Sequence, residues 1–156
     1  MSERVEDSRT MWRARAWRYG PLLVWMLLIL LFSTGGMSAS NTSRIIRPVL
    51  LWLFPDISEE RLLFTHFIVR KAAHFTEYAI LALLAARAFL GSSRELLRRR
   101  WFLASLALVV VYALSDEYHQ RFVPTRTGSI YDSLIDISGG LTALFCLTLW
   151  RRRKQG

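Results

Sequence analysis

The chain carries a single cysteine, Cys146, in 156 residues. One thiol excludes a disulfide framework within the monomer and any metal site built on paired cysteines. Its ordinary reading, deep in an apolar run, is a small core residue. Acids are also scarce, 12 against 21 lysines and arginines, for a net charge of +9. No nucleotide, flavin or haem motif is present, and no cofactor is expected. Most telling is the lack of polar faces. The longest apolar runs show almost no charged stripe of the kind a soluble bundle needs on its outer surface.

What is there instead is hydrophobicity, 53% of the chain, with a mean hydropathy of +0.25. Four stretches carry it: residues 19–34, 72–90, 101–115 and 134–150. About 17–25 residues of helix cross a hydrocarbon core, and each stretch reaches or approaches that length with its flanks. No convincing small-residue cleavage site follows the first, which therefore reads as a retained anchor. The expected fold is all-α, an integral membrane four-helix bundle occupying residues 19–150. A basic N-terminal segment, 1–18, precedes it, and a basic tail, 151–156, follows.

Charge orients the bundle. The N-terminal segment holds Arg4, Arg9, Arg13, Arg15 and Arg18. Arg87, Arg94, Arg98, Arg99 and Arg100 cluster at the second turnaround, and Arg151, Arg152, Arg153 and Lys154 close the chain. Fourteen of the 21 basic residues and four of the 12 acids fall in these regions, a net +10 against −1 for the remainder. The positive-inside rule puts both termini in the cytoplasm. The basic excess is a topology signal and an attraction for anionic lipid, not a nucleic-acid footprint. The expected location is the cytoplasmic membrane, with membrane lipids as partners. The oligomeric state is left open.

The first extracytoplasmic segment is long, and within it Ile45 to Phe54 is apolar but too short to span. Arg47 and Pro48 break it further, so it reads as an interfacial or re-entrant element. Ser58, followed by Glu59 and Glu60, has the form of an N-cap with acids in the first turn. The helix it starts is expected to feed into the second apolar stretch.

Polar residues concentrate at one end. Lys71, His74, Glu77 and Tyr78 recur at spacings of three and four and share a helix face. The third stretch ends in Ser115-Asp116-Glu117-Tyr118-His119-Gln120-Arg121-Phe122-Val123-Pro124-Thr125-Arg126, with Tyr112, Asp116, His119 and Gln120 on one face. Glu117 points about 100° away, at roughly 3.6 residues per turn. The fourth stretch opens with Asp132 and Asp136, then Gly139 and Gly140, which suit close helix packing. Topology brings the start of the second helix, the end of the third and the start of the fourth to the same, extracytoplasmic side. Ionisable groups at membrane depth are costly, so such a cluster is a site hypothesis by default.

The chemistry these residues allow is specific. His74 or His119, oriented by a carboxylate, can act as base or nucleophile. Asp116 and Asp132 are the candidate orienting or acid partners. Arg126 presents a planar fork suited to phosphate, with Lys71, Glu77, Tyr78, Glu117, Gln120 and Asp136 around it as candidate substrate-binding groups. A divalent cation is conceivable, but the spacing matches no metal pattern. A purely structural reading competes with this one. In it Arg126 and Asp132 form an ion pair, His74 and Asp136 join two helices, and Tyr78 and Tyr112 pack. Glu117 with Arg121 is best read as a solvated i,i+4 pair.

The strings Lys71-x-x-His74-Phe75-x-x-Tyr78-x-x-Leu81, Asp116-Glu117-x-His119-Gln120-x-Phe122-Val123-Pro124-x-Arg126 and Asp132-x-x-x-Asp136-x-x-Gly139 resemble the VanZ-like family over about residues 20–150. Thr125 stands where that pattern usually has glycine, and Asp136 where many members have asparagine. The resemblance implies a four-helix bacterial membrane protein, from a family named after an accessory factor in teicoplanin resistance. Distant similarity groups that family with membrane enzymes acting on lipid head groups or lipid-linked cell-wall precursors. The family's activity is not defined, and the reading favoured from these residues is an enzyme on a phosphate-bearing lipid head group or lipid-linked cell-envelope precursor. The alternatives are a non-catalytic precursor binder giving glycopeptide resistance and a structural subunit of a membrane complex.

Overall fold

A computed structural model describes residues 2–33, 39–120 and 130–156, with side chains described for 11–33, 46–120 and 130–156. Among these residues six helices follow in order: α1 (Ser2–Leu31), α2 (Ala39–Leu53), α3 (Glu59–Leu90), α4 (Glu95–Arg99), α5 (Trp101–Gln120) and α6 (Ile130–Gln155). No strand occurs among the described residues. Among the described residues, four helices are long and apolar enough to cross a membrane: α1 from Met11, α3, α5 and α6.

Helix α3 is the axis of the molecule and touches each of the other five. Its start is fixed by Ser58, whose side chain accepts a hydrogen bond from the Arg61 amide, with Glu59 and Glu60 in the first turn. Acids there complement the positive end of the helix dipole. Its 32 residues rise about 48 Å at 1.5 Å each, well beyond the roughly 30 Å of a hydrocarbon core. The excess lies N-terminal to Lys71, in the stretch that carries Arg61, His66 and Arg70. The sequence expectation of a helix running into the second apolar stretch therefore holds.

Small residues let the helices approach. Ala82, Ala85, Ala86 and Ala88 of α3 are fully buried, with Tyr78, Leu81, Val109, Ala113 and Leu144 around them. Two glycines set the closest contacts of α6. A Cβ on Gly139 would lie 2.2 Å from the Phe75 carbonyl oxygen, and one on Gly140 would lie 2.7 Å from the Val109 side chain. Without hydrophobic contrast between lipid and side chain, such close packing is what holds membrane helices together.

Cross-helix contacts fix the directions. Lys71 meets Asp132 and Phe75 meets Gly139, so α3 and α6 run parallel. Tyr19 bonds Ser92 while Trp25 reaches Glu77, so α1 runs against α3. Val109 meets Gly140 and the Ala113 carbonyl meets Ser133, so α5 runs against α6. One end of the bundle thus gathers the basic segments and the other gathers the polar starts of α3 and α6 and the end of α5.

Three features differ from the sequence reading or were absent from it. The apolar stretch after residue 45 belongs to a 15-residue helix, α2, that packs on α3 and is tied to it by an Arg47–Glu59 ion pair. The basic turnaround holds a short helix, α4, with an Arg99–Glu95 pair. Cys146 is exposed rather than buried in the core. It lies about 200° around α6 from the buried Leu144, at 100° per residue.

Candidate functional site

The polar end is assembled from α3, α5 and α6. Lys71 of α3 forms an ion pair with Asp132 in the first turn of α6. Arg70, its neighbour, lies 3.8 Å from the other oxygen of the same carboxylate. One turn deeper, His74 Nδ1 sits 3.4 Å from Asp136 Oδ1, with the Asp136 side chain only 5% exposed. That distance is an ion-pair contact rather than a well-formed hydrogen bond. A further turn down, Tyr78 is completely buried, and its hydroxyl has no hydrogen-bond partner among the described residues. It stands in the electrostatic field of both Asp116 and Asp136.

The spacing is the cause. Residues 71, 74 and 78 descend one stripe of α3, and 132 and 136 descend one stripe of α6. Because the helices are parallel and in close contact at Gly139, the two stripes meet rung by rung. From α5, Asp116 and Gln120 come in on the third side, joined by a 2.8 Å hydrogen bond from the Gln120 amide. Both are buried, as is Glu117.

Helix α1 closes the fourth side. Trp25 donates its indole N–H to the Glu77 carbonyl at 3.0 Å, and the Tyr112 hydroxyl donates to the Met26 carbonyl. Both carbonyls belong to helix interiors, so each bond adds a second donor to an oxygen already in the helical ladder. The tryptophan and the tyrosine thereby latch α1 onto α3 and α5 at the level of the site.

The structure sorts the candidate residues. Lys71, His74, Tyr78, Asp116, Gln120, Asp132 and Asp136 gather at one end on facing stripes. Asp136, the partner that the structural reading gave His74, is the carboxylate against an imidazole, not Asp116 or Asp132. His119 is partly buried, and its Nδ1 is buried without a hydrogen-bond partner among the described residues. Glu77 is also partly buried on the α3 stripe. Glu117 corrects the sequence reading: it is 5% exposed, so it does not lie on a solvated face. The reason is that α5 packs against both α3 and α6 and buries a wider arc than one stripe. Arg121, Arg126 and the Pro124–Ser129 turn lie outside the described residues. The sequence reading missed Arg70, whose adjacency to Lys71 was the available signal, and Trp25. No cluster of three metal-ligand side chains occurs among the described residues.

A family model described as VanZ/LLP1 matches residues 19–151. The chain belongs to the VanZ-like family. With four helices of spanning length and composition, it is a multi-pass membrane protein. No curated protein and no solved structure matches it. Every residue of the polar cluster falls inside the family match, so the site belongs to the VanZ-like unit itself.

Proposed function

We propose that this VanZ-like chain is an enzyme of the bacterial cytoplasmic membrane, with both termini in the cytoplasm, acting on a phosphate-bearing lipid head group or a lipid-linked cell-envelope precursor at the extracytoplasmic face. The observation that carries this reading is the His74–Asp136 pair, held by two helices one turn below a cationic rim of Lys71 and Arg70. With Nδ1 turned to Asp136, the imidazole keeps Nε2 for a substrate hydroxyl or water. His74 takes the proton of that nucleophile as it attacks phosphorus, and Asp136 stabilises the imidazolium. The P–O bond to the leaving group breaks, and His119 returns a proton to the departing oxygen. Arg126, with Lys71 and Arg70, holds the phosphate oxygens. Asp116 and Gln120 brace the third wall, and Tyr78 offers a hydroxyl at the floor. Helix α2, short and bearing an exposed Trp52, would serve as the interfacial element of this reading.

A second reading rests on a specific observation. Asp132 is already engaged by Lys71 and Arg70, and Asp116 by Gln120, which suits a lock between helices or a non-catalytic binder. Among the described residues at this end, Glu77, Asp116, Glu117, Asp132 and Asp136 outnumber Lys71 and Arg70, so anion binding depends on Arg126.

Native mass spectrometry of the purified chain with its co-purifying lipids separates these readings. The enzyme reading expects a retained phosphate-bearing lipid that is lost in Arg126→Ala, and a processed head group that is absent from His74→Ala. Retention in Arg126→Ala together with an unchanged head group in both variants would overturn it.

A further inference from the structure

The opposite end of the bundle holds a second polar cavity that the proposed reaction does not use. A cleft of about 400 Å³ opens between α1, the turn after α3 and α4, lined by Arg15, Arg18, Tyr19, Ser92, Ser93 and Arg94. Three arginines line it, and no carboxylate does among the described residues. None of the three is ion-paired among the described residues, and Glu95, the nearest acid in sequence, is taken by Arg99.

The walls are fixed by hydrogen bonds that leave the cations unneutralised. Ser92 is buried and its hydroxyl oxygen accepts from both the Tyr19 hydroxyl, at 3.0 Å, and the Arg94 amide, at 3.1 Å. This single atom ties α1 to the turn and to α4. Arg18 donates through one nitrogen to Ser93 Oγ at 3.2 Å, and its side chain lies along Gly91. The guanidinium is therefore held in place while most of its donors remain free, in the fork geometry that suits phosphate oxygens. Arg15 stands one turn earlier on the same face of α1.

The depth of the cleft is marked independently. Trp12 and Trp17, each 72% exposed, flank Arg15 on α1. Indole rings of membrane proteins collect at head-group level, and Arg15 and Arg18 lie within a turn of Trp17. A cluster of arginines at that level, in a cavity of head-group size, matches the phosphate of a lipid head group.

We propose that the cleft bounded by Arg15, Arg18 and Arg94 binds a phosphate group, supplied by the head group of an anionic phospholipid, at the end of the bundle opposite the His74–Asp136 site. The bound lipid bridges α1 to the α3–α4 turn through its phosphate and leaves its acyl chains along α1. Basic pockets between membrane helices recognise anionic head groups by the same combination of charge and enclosure.

The test uses the purified full chain in neutral detergent, titrated with phosphatidylglycerol or phosphatidylcholine and read by native mass spectrometry. Phosphatidylglycerol should bind first and with preference. The triple variant Arg15→Gln/Arg18→Gln/Arg94→Gln should lose that first lipid, each arginine accounting for about a fivefold change. A charge-matched control, Arg100→Gln/Arg152→Gln/Arg153→Gln, should retain it. Arg18→Gln alone and the triple lysine variant, checked for parental helicity by circular dichroism, keep the outcome interpretable if the triple glutamine variant fails to fold. The single variant should weaken the first lipid about fivefold, and the lysine variant should hold it more weakly than arginine. Displacement by millimolar inorganic phosphate, with no preference between the two lipids, would assign the cleft to a soluble phosphate and overturn the lipid source. Equal loss in the cleft and control variants would overturn the site altogether. Because none of these residues belongs to the polar end, His74→Ala should leave this binding unchanged.

Discussion

Replacing Gly139 with alanine tests the contact on which the site is built. The added Cβ would lie 2.2 Å from the Phe75 carbonyl oxygen, 2.9 Å from its carbon and 3.0 Å from its Cα. All three are backbone atoms of a helix interior, so no side chain can rotate away. Ordinary contact begins at 3.4 Å, so α6 must withdraw from α3 by about 1 Å. Overpacking of this kind costs about 1–3 kcal/mol, or roughly 2–12 °C of melting temperature for a chain of this size. The same withdrawal stretches the 3.4 Å His74–Asp136 contact beyond ion-pair range. Gly140→Ala is the internal comparison. Its Cβ meets Val109 Cγ1 at 2.7 Å, a side chain that can be trimmed, so Gly140→Ala/Val109→Ala should recover part of the loss. No partner substitution should rescue Gly139→Ala. Thermal unfolding in detergent, followed by circular dichroism, measures both. A Gly139→Ala protein melting within a degree of the parent would refute the close parallel contact and the site geometry that depends on it.

Two further outcomes follow from the same geometry. Trp25→Phe removes one donor from the Glu77 carbonyl and should cost about 0.5–1.5 kcal/mol, read as a lower melting temperature with the helical content intact. In a double-mutant cycle, Lys71→Ala and Asp132→Ala should show a favourable coupling of about 1–2 kcal/mol, above that of an exposed pair because both side chains are mostly buried. Additive effects of the two substitutions would show that their ion pair contributes nothing to the fold.

The spans, the start of α3 at Ser58 and the gathering of polar residues from three helices at one end were legible in the sequence. Long apolar runs and three–four spacing encode them directly. What the sequence left open is which acid meets which base. That depends on the rotation and depth of α6 against α3, which the Gly139–Phe75 contact sets and no periodicity reveals. Of the partners offered, the helix-joining one, Asp136, faces the imidazole rather than Asp116 or Asp132. Glu117 was misjudged because its angle from Asp116 was compared with one partner helix, whereas α5 has two. Cys146 shows a different limit. In a bilayer the outward face of a helix is as apolar as its inward face, so hydrophobicity no longer tells inside from outside. Small residues at contacts do: Ala82, Ala85 and Gly140 mark the true interior. The five-residue α4 carries too short a pattern to be read at all.

The parallel arrangement of α3 and α6 bears on biogenesis. Two helices that start from the same side of a bilayer cannot be neighbours by a short hairpin; the chain must cross back through α5 first. During N-to-C synthesis α3 therefore enters the membrane with Lys71, Arg70 and His74 before either of their carboxylate partners on α6 exists. Sixty-one residues separate Lys71 from Asp132. Until the last span arrives, those cations depend on head groups and water, and α3 is held by its alanines and by α1 and α5. The final helix delivers both carboxylate partners at once, so arrival of α6 is the event that pairs the α3 cations and completes the polar end.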